Sequence, residues 1–295
     1  MSARRPVFAL VPVALVVAAV LSLSACSSKD KPQPSTATAE EINEQAAETA
    51  AKQKPVDELY NKAASNLDKG LYTEAARGFE DVDREYPYSQ WATKAQMMAG
   101  YAYYKKLRYD DAILALDRFI ELHPSDENIA YAWYLKALCY YEQITDVRRD
   151  QRMTQMALEN LRQVVNRFPE SKYAKDASLK IDLTMDHLAG KEMEIGRYYL
   201  FRKKYQAAIN RFQKVVTEYQ TTTHVPEALH RMTEAYLALG ITDEARKTAA
   251  VLGYNYPNSS WYKDSYKLFG GAPNATEPPP KQDPTFYDKT LGRIF

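Results

Sequence analysis

Thiols and imidazoles are the side chains most able to do chemistry here, and the chain has two Cys and four His. Cys139 lies in Tyr134-Leu135-Lys136-Ala137-Leu138-Cys139-Tyr140, a stretch of helical periodicity, which predicts a buried, inert thiol. His123, His187, His224 and His230 show no metal-ligand spacing, and no HExxH motif occurs. Ala189-Gly190-Lys191 lacks the earlier Gly of a phosphate loop and is followed by Glu192. No G-x-S-x-G elbow is present. The chain is therefore expected not to be an enzyme and to need neither cofactor nor metal.

Cys26 is different. A basic start, Arg4-Arg5, precedes an almost wholly apolar run from Val7 to Leu23, the layout of a secretory signal. The run is at the lower length limit for a membrane span. What decides between the two is Leu23-Ser24-Ala25-Cys26, which resembles the bacterial lipobox. That resemblance implies diacylation of the Cys26 thiol, cleavage before it and acylation of the new amine. Several acyl chains, at ~0.8 kcal/mol per buried CH₂, hold where one would be marginal. With Ser27 and not Asp after Cys26, the same resemblance implies the outer membrane, at its periplasmic face. Losing residues 1–25 removes Arg4 and Arg5 and no acid, taking the formal charge from +1 to −1. No basic field remains for nucleic acid. Cys139 would then be alone, which excludes a structural disulfide.

Residues 26–55 carry Pro32, Pro34 and Pro55 among small and polar residues and read as a lipidated tether. Residues 270–295 read as a Pro-rich linker and short tail, leaving 56–269 as the folded body. Within it one pattern recurs five times. A small residue opens each second helix at Ala75, Ala112, Ala157, Ala208 and Ala245, and four residues on stand Phe79, Leu116, Leu161, Phe212 and Ala249. Pro87, Pro124, Pro169, Gln220 and Pro257 follow, then Ala95, Ala132, Ala177, Ala228 and Ser265 early in the next first helix. Ala63, Gly100, Ala137, Gly196 and Thr233 allow close helix approach within each pair. Pro cannot continue a helix, so it closes each unit. The expected fold is all-α, a right-handed solenoid of about five tetratricopeptide-type helix pairs, stable only when stacked.

The spacing of the opening Ala is 37, 45, 51 and 37 residues. The first long interval places extra residues in the third unit's loop, around Thr145 to Gln151, which reads first as a solvated charge run. The second fits a lengthened first helix from about Lys172 to Arg202, with a kink predicted at Gly190 or Gly196. Tyr is in excess, 23 against 9 Phe and 3 Trp, and clusters on first helices. Most would pack helices together; the surplus suits recognition.

Taken together, the lipobox, tether and repeats resemble the BamD family, the lipoproteins of the outer-membrane β-barrel assembly machine, over nearly all of residues 23–269. Tyr86-Pro87, Tyr101 to Lys105, Asp117 to Ile120, Arg149-Asp150, Leu188-Ala189, Tyr198-Tyr199 and Asn210-Arg211 carry the resemblance. It implies a non-enzymatic adaptor whose partners are the POTRA domains of BamA, other Bam lipoproteins and unfolded barrel precursors. Precursors would meet Tyr86, Tyr101, Tyr103 and Tyr104 on the concave face of the first repeats, and BamA would meet Arg211, Arg149 and Asp150. Arg211 precedes the core position Phe212 and is expected to point outward, so that Arg211→Glu would spare thermal stability. Alternatives are a tetratricopeptide pilot lipoprotein of a secretin or pilus system, or a peptidoglycan-linked structural lipoprotein. Gln220, the residues before Arg149 and the added tail depart from the family pattern. In that tail Tyr287, Leu291, Ile294 and Phe295 fall on one helical face, which predicts order only against a surface.

Overall fold

In the computed structural model the described residues, 55–271, form eleven α-helices and no strand. They are α1 (55–68), α2 (Tyr72–Glu85), α3 (Gln90–Lys105), α4 (Tyr109–Leu122), α5 (Ile129–Tyr141) and α6 (Arg152–Arg167). After these come α7 (Lys172–Phe201), α8 (Tyr205–Glu218), α9 (Val225–Ala238), α10 (Thr242–Asn255) and α11 (Ser260–Leu268). None of them is long and apolar enough to cross a membrane. Cys26 and the tail lie outside the described residues.

The helices pair as α1–α2 through α9–α10, with α11 following. The small residue opening each second helix, from Ala75 to Ala245, is fully buried. Phe79, Leu116, Leu161 and Phe212 fill the core four residues on, whereas Ala249 of the fifth pair is only half-buried; three residues further Val82, Phe119, Val164, Val215 and Leu252 are buried in all five. Four of the five pairs turn on one left-handed residue: Gly70, Leu107, Lys203 and Gly240, with φ of 75°, 63°, 57° and 76°. Each closes a Schellman motif; at α3 the Arg108 N–H reaches the Tyr103 carbonyl and the Leu107 N–H that of Tyr104. Leu107 and Lys203 adopt this conformation at a cost of about 1 kcal/mol each, which only a tight, repeated turn imposes. The third pair has the long loop instead, 142–151.

Successive first helices touch one another, α3 with α5, α5 with α7, α7 with α9 and α9 with α11. Second helices touch none of their own kind among the described elements for which contacts are resolved. The stack therefore curves with first helices on its inner face. α7 is a single 30-residue helix, about 45 Å long at 1.5 Å per residue. It runs on through both Gly190 and Gly196, so the predicted kink does not break it. Those glycines serve packing: a Cβ at Gly196 would enter the Phe212 ring, and one at Gly190 would press on Val147 and His224 at 3.3 Å. Gln220, in place of the fourth Pro, still follows a helix end; α8 stops at Glu218, and the Thr222 hydroxyl donates to the Tyr219 carbonyl at 2.8 Å.

Candidate functional site

The two insertions meet. Loop 142–151 lies against the middle of α7, where Lys191 Nζ donates to the Arg148 carbonyl at 2.8 Å and Arg148 faces Glu194 at 3.6 Å. The loop is built from within by Gln151, itself buried. Its amide donates to the carbonyls of Asp146, Val147 and Arg149, and its Oε1 accepts from Thr154 at 3.0 Å. Its charges are solvated, as the sequence predicts, with Asp146, Arg148, Arg149 and Asp150 all exposed, but the backbone that carries them is folded. A folded loop of this kind holds Arg149 and Asp150 outward, both exposed.

Beside the loop, Glu192 of α7 is almost covered, its side chain 10% exposed, and it accepts from Lys214 Nζ at 2.8 Å and Arg211 Nη1 at 3.0 Å. Burial pushes the Glu192 carboxyl up, but the hydrogen bonds from Lys214 and Arg211 outweigh it and leave the group below its usual range. Lys214 is raised in turn, chiefly by its hydrogen bond to Glu192. Arg211 keeps 40% of its side chain exposed, so it does face outward, but its carboxylate partner is internal. That corrects the expectation that stability would be indifferent to Arg211. Between loop and helices opens a cleft of about 440 Å³ lined by Arg148, Arg149, Lys191 and Lys214 against Asp150 and Glu192. Lys214 also borders a second hollow, of about 330 Å³, together with Arg211, Asn210 and Tyr199. Arg149, Asp150 and Arg211, far apart in sequence, thus share one cation-rich surface. Such a surface suits a partner's carboxylates.

The tyrosines divide. Tyr101 and Tyr104 of α3 lie half-buried beside Tyr131 of α5. Tyr131 and Tyr134 in turn pack on Tyr173 of α7, each with ring centroids 5.3 Å apart. This aromatic row crosses the junctions between first helices, hence the inner face. Burial pushes the Tyr104 hydroxyl up to about 12 and Tyr131 higher still, so both remain neutral donors. Tyr134 donates to Asp176. Tyr103, one residue from Tyr104 and so about 100° around the helix, leaves the row. It is 9% exposed and donates to Glu80 of α2 at 2.6 Å, facing the second helices. Tyr86 caps α2 half-buried, its N–H bonded to the Val82 carbonyl at 3.0 Å.

No group of His, Cys, Asp and Glu suited to a metal occurs among the described residues. Ser265, His230 and Glu234 do line up, with His230 Nδ1 2.8 Å from Ser265 Oγ and Nε2 3.5 Å from Glu234. Ser265 is fully buried, so the arrangement pins α11 to α9 and presents no nucleophile.

Residues 52–252 match the family model described as YfiO, outer membrane lipoprotein. The chain belongs to the BamD (YfiO) family. Its relatives include the outer membrane protein assembly factor BamD of Caulobacter vibrioides, 50% identical over 77% of this chain and 75% of that one. BamD of Rickettsia prowazekii is 49% identical over 72% of this chain and 85% of its own. BamD of Neisseria meningitidis serogroup B is 36% identical, over 72% and 83% respectively. Membership in the BamD family makes this an outer-membrane-associated assembly factor, an accessory protein and not a catalyst.

Several residues of these surfaces escaped the sequence reading. Glu192 and Lys214 carried no motif. One signal for Glu192 was available, since it sits between Leu188 and Ile195 on a helix whose length was foreseen. Tyr131 and Tyr134 belong to the excess of Tyr on first helices, but only their packing on Tyr173 shows that the Tyr101–Tyr104 row continues onto α7.

Proposed function

We propose that this chain is a lipid-anchored adaptor at the periplasmic face of the outer membrane, which holds BamA and hands it unfolded β-barrel precursors. The observation that carries the reading is the convergence of Arg149, Asp150 and Arg211 on one cation-rich surface around Glu192 and Lys214. Acidic side chains of a POTRA domain would pair there, and other Bam lipoproteins would join through the same complex. The precursor's aromatic C-terminal segment would lie along the inner row, starting at Tyr86 and the α3 residues Tyr101 and Tyr104. Tyr103 would support that row from behind through its bond to Glu80.

Site-specific photocrosslinking tests both halves. A crosslinker at Arg149 should capture BamA, and one at Tyr101 or Tyr104 should capture a barrel precursor. Capture of a secretin or pilus subunit at Arg149 would overturn the assignment. Precursor crosslinks confined to α8–α10 would overturn the division of labour.

A further inference from the structure

Four residues after the small residue early in each first helix stand Ala99, Lys136, Ile181, Met232 and Phe269. All but the first are large side chains, and Ala99 leaves its place unfilled. A cavity of about 370 Å³ opens over it, between second helices α2 and α4, which do not touch, with α3 as its floor. Buried Phe79 and Ala99 line the bottom, and Leu114, 72% exposed, forms a lip. Glu80, Asp83 and Asp111 border the cavity, with Arg118 as the one cation of its lining. Asp83 and Asp111 already face Arg118 and Arg108, at 3.2 and 2.7 Å. Glu80 accepts from the Tyr103 hydroxyl and faces no cation among the described residues.

The next unit shows what fits such a place. There Lys136 of α5 stands where α3 has Ala99, with its side chain 16% exposed. Its ammonium lies 2.5 Å from Asp117 Oδ1 of α4 and 5.4 Å from the centre of the Trp133 ring. Asp117 follows the core residue Leu116 as Glu80 follows Phe79, so the two carboxylates are repeat counterparts. A long cationic side chain thus fits between the helices with its stem covered and its charge on that carboxylate. The first groove has the apolar bed and the carboxylate but lacks the cation. We propose that this groove docks a second protein, which lays a Lys or Arg side chain over Ala99 to pair with Glu80 while an adjoining apolar side chain rests on Leu114. The groove lies on the outer side of the stack, away from the inner tyrosine row, and the inference does not rest on the BamA and precursor contacts proposed above.

A photocrosslinker at Leu114 of the full-length chain in cells tests it, with the captured segment sequenced by mass spectrometry. The segment should belong to another protein and carry Lys or Arg beside the crosslinked position. Glu80→Gln keeps an acceptor for Tyr103 but removes the charge, and should lower this capture about tenfold or more while capture at Arg149 stays unchanged. Ala99→Lys should fill the groove from within and abolish capture at Leu114. In the purified protein, Glu80→Gln should then lower the melting temperature of Ala99→Lys more than that of the parent, because the new ammonium loses its partner. Capture indifferent to Glu80→Gln, a captured segment without a cation at the crosslink, capture of a second copy of this chain alone, or no capture at all would each overturn the proposal. If Ala99→Lys does not fold, the Glu80→Gln comparison decides by itself.

Discussion

Reversing the charge of Arg211 should cost stability before it costs binding. Glu192 is nearly covered and shared between Arg211 and Lys214. A charge-assisted hydrogen bond is worth about 1.5–3 kcal/mol when buried. Arg211 is 40% exposed and Lys214 stays in place, so screening and the remaining cation reduce the loss in Arg211→Ala to about 1 kcal/mol. In Arg211→Glu a second carboxylate also faces Glu192. At a separation of ~5 Å and an effective dielectric of ~40 that repulsion adds about 1–2 kcal/mol. For a folded body of this size the sum lowers the melting temperature by roughly 5–10 °C. Thermal unfolding by circular dichroism measures this, with Arg211→Ala as the milder comparison. Adding Glu192→Gln to Arg211→Glu removes the repulsion and should recover part of the loss. BamA affinity that stays low in the recovered double variant identifies Arg211 as a contact residue, whereas affinity that returns with stability identifies it as a structural one. Melting of Arg211→Glu indistinguishable from the parent would refute the reasoning about Glu192.

Gly196→Ala gains up to about 1 kcal/mol of helix propensity, yet its Cβ meets the Phe212 ring, and overpacking of about 1–3 kcal/mol should prevail; a melting temperature above the parent's would show that Phe212 yields. Glu234 is held at about 2, chiefly by its hydrogen bond to His230 and further by Arg231, against an ordinary value of 4.5. A depressed carboxylate contributes stability above its unfolded pKa and loses it as pH falls, so the window runs from about 4.5 down to about 2. Glu234→Gln should flatten that part of the stability–pH curve, and an unaltered acid limb in urea titrations would count against the pair. Cys26→Ala should release a folded protein from the membrane fraction, and failure of the unmutated protein to incorporate labelled palmitate would dismiss the anchor.

The repeat register, the paired helices and the long α7 were legible in the chain because each follows from local rules. Small residues recur where helices must approach, bulky ones four residues on, and Pro where a unit must stop. Even Ser265 falls in register at the start of a sixth unit. Cys139 likewise announced its burial by its apolar helix, and the structure leaves it fully covered with its thiol pushed up to about 12. Tertiary structure alone decided what the exposed and half-exposed residues meet. Tyr103 and Tyr104 are neighbours of one type, yet one helical step sends Tyr103 to Glu80 and Tyr104 toward the inner row. Arg211 looked like a free surface charge because nothing near it in sequence reveals Glu192, 19 residues earlier on another helix. The same holds for loop 142–151, whose exposed charges do not reveal that Lys191, 43 residues from Arg148, ties its backbone to α7. Periodicity encodes which face a residue takes; which side chain from a distant element shares that face depends on how the units stack.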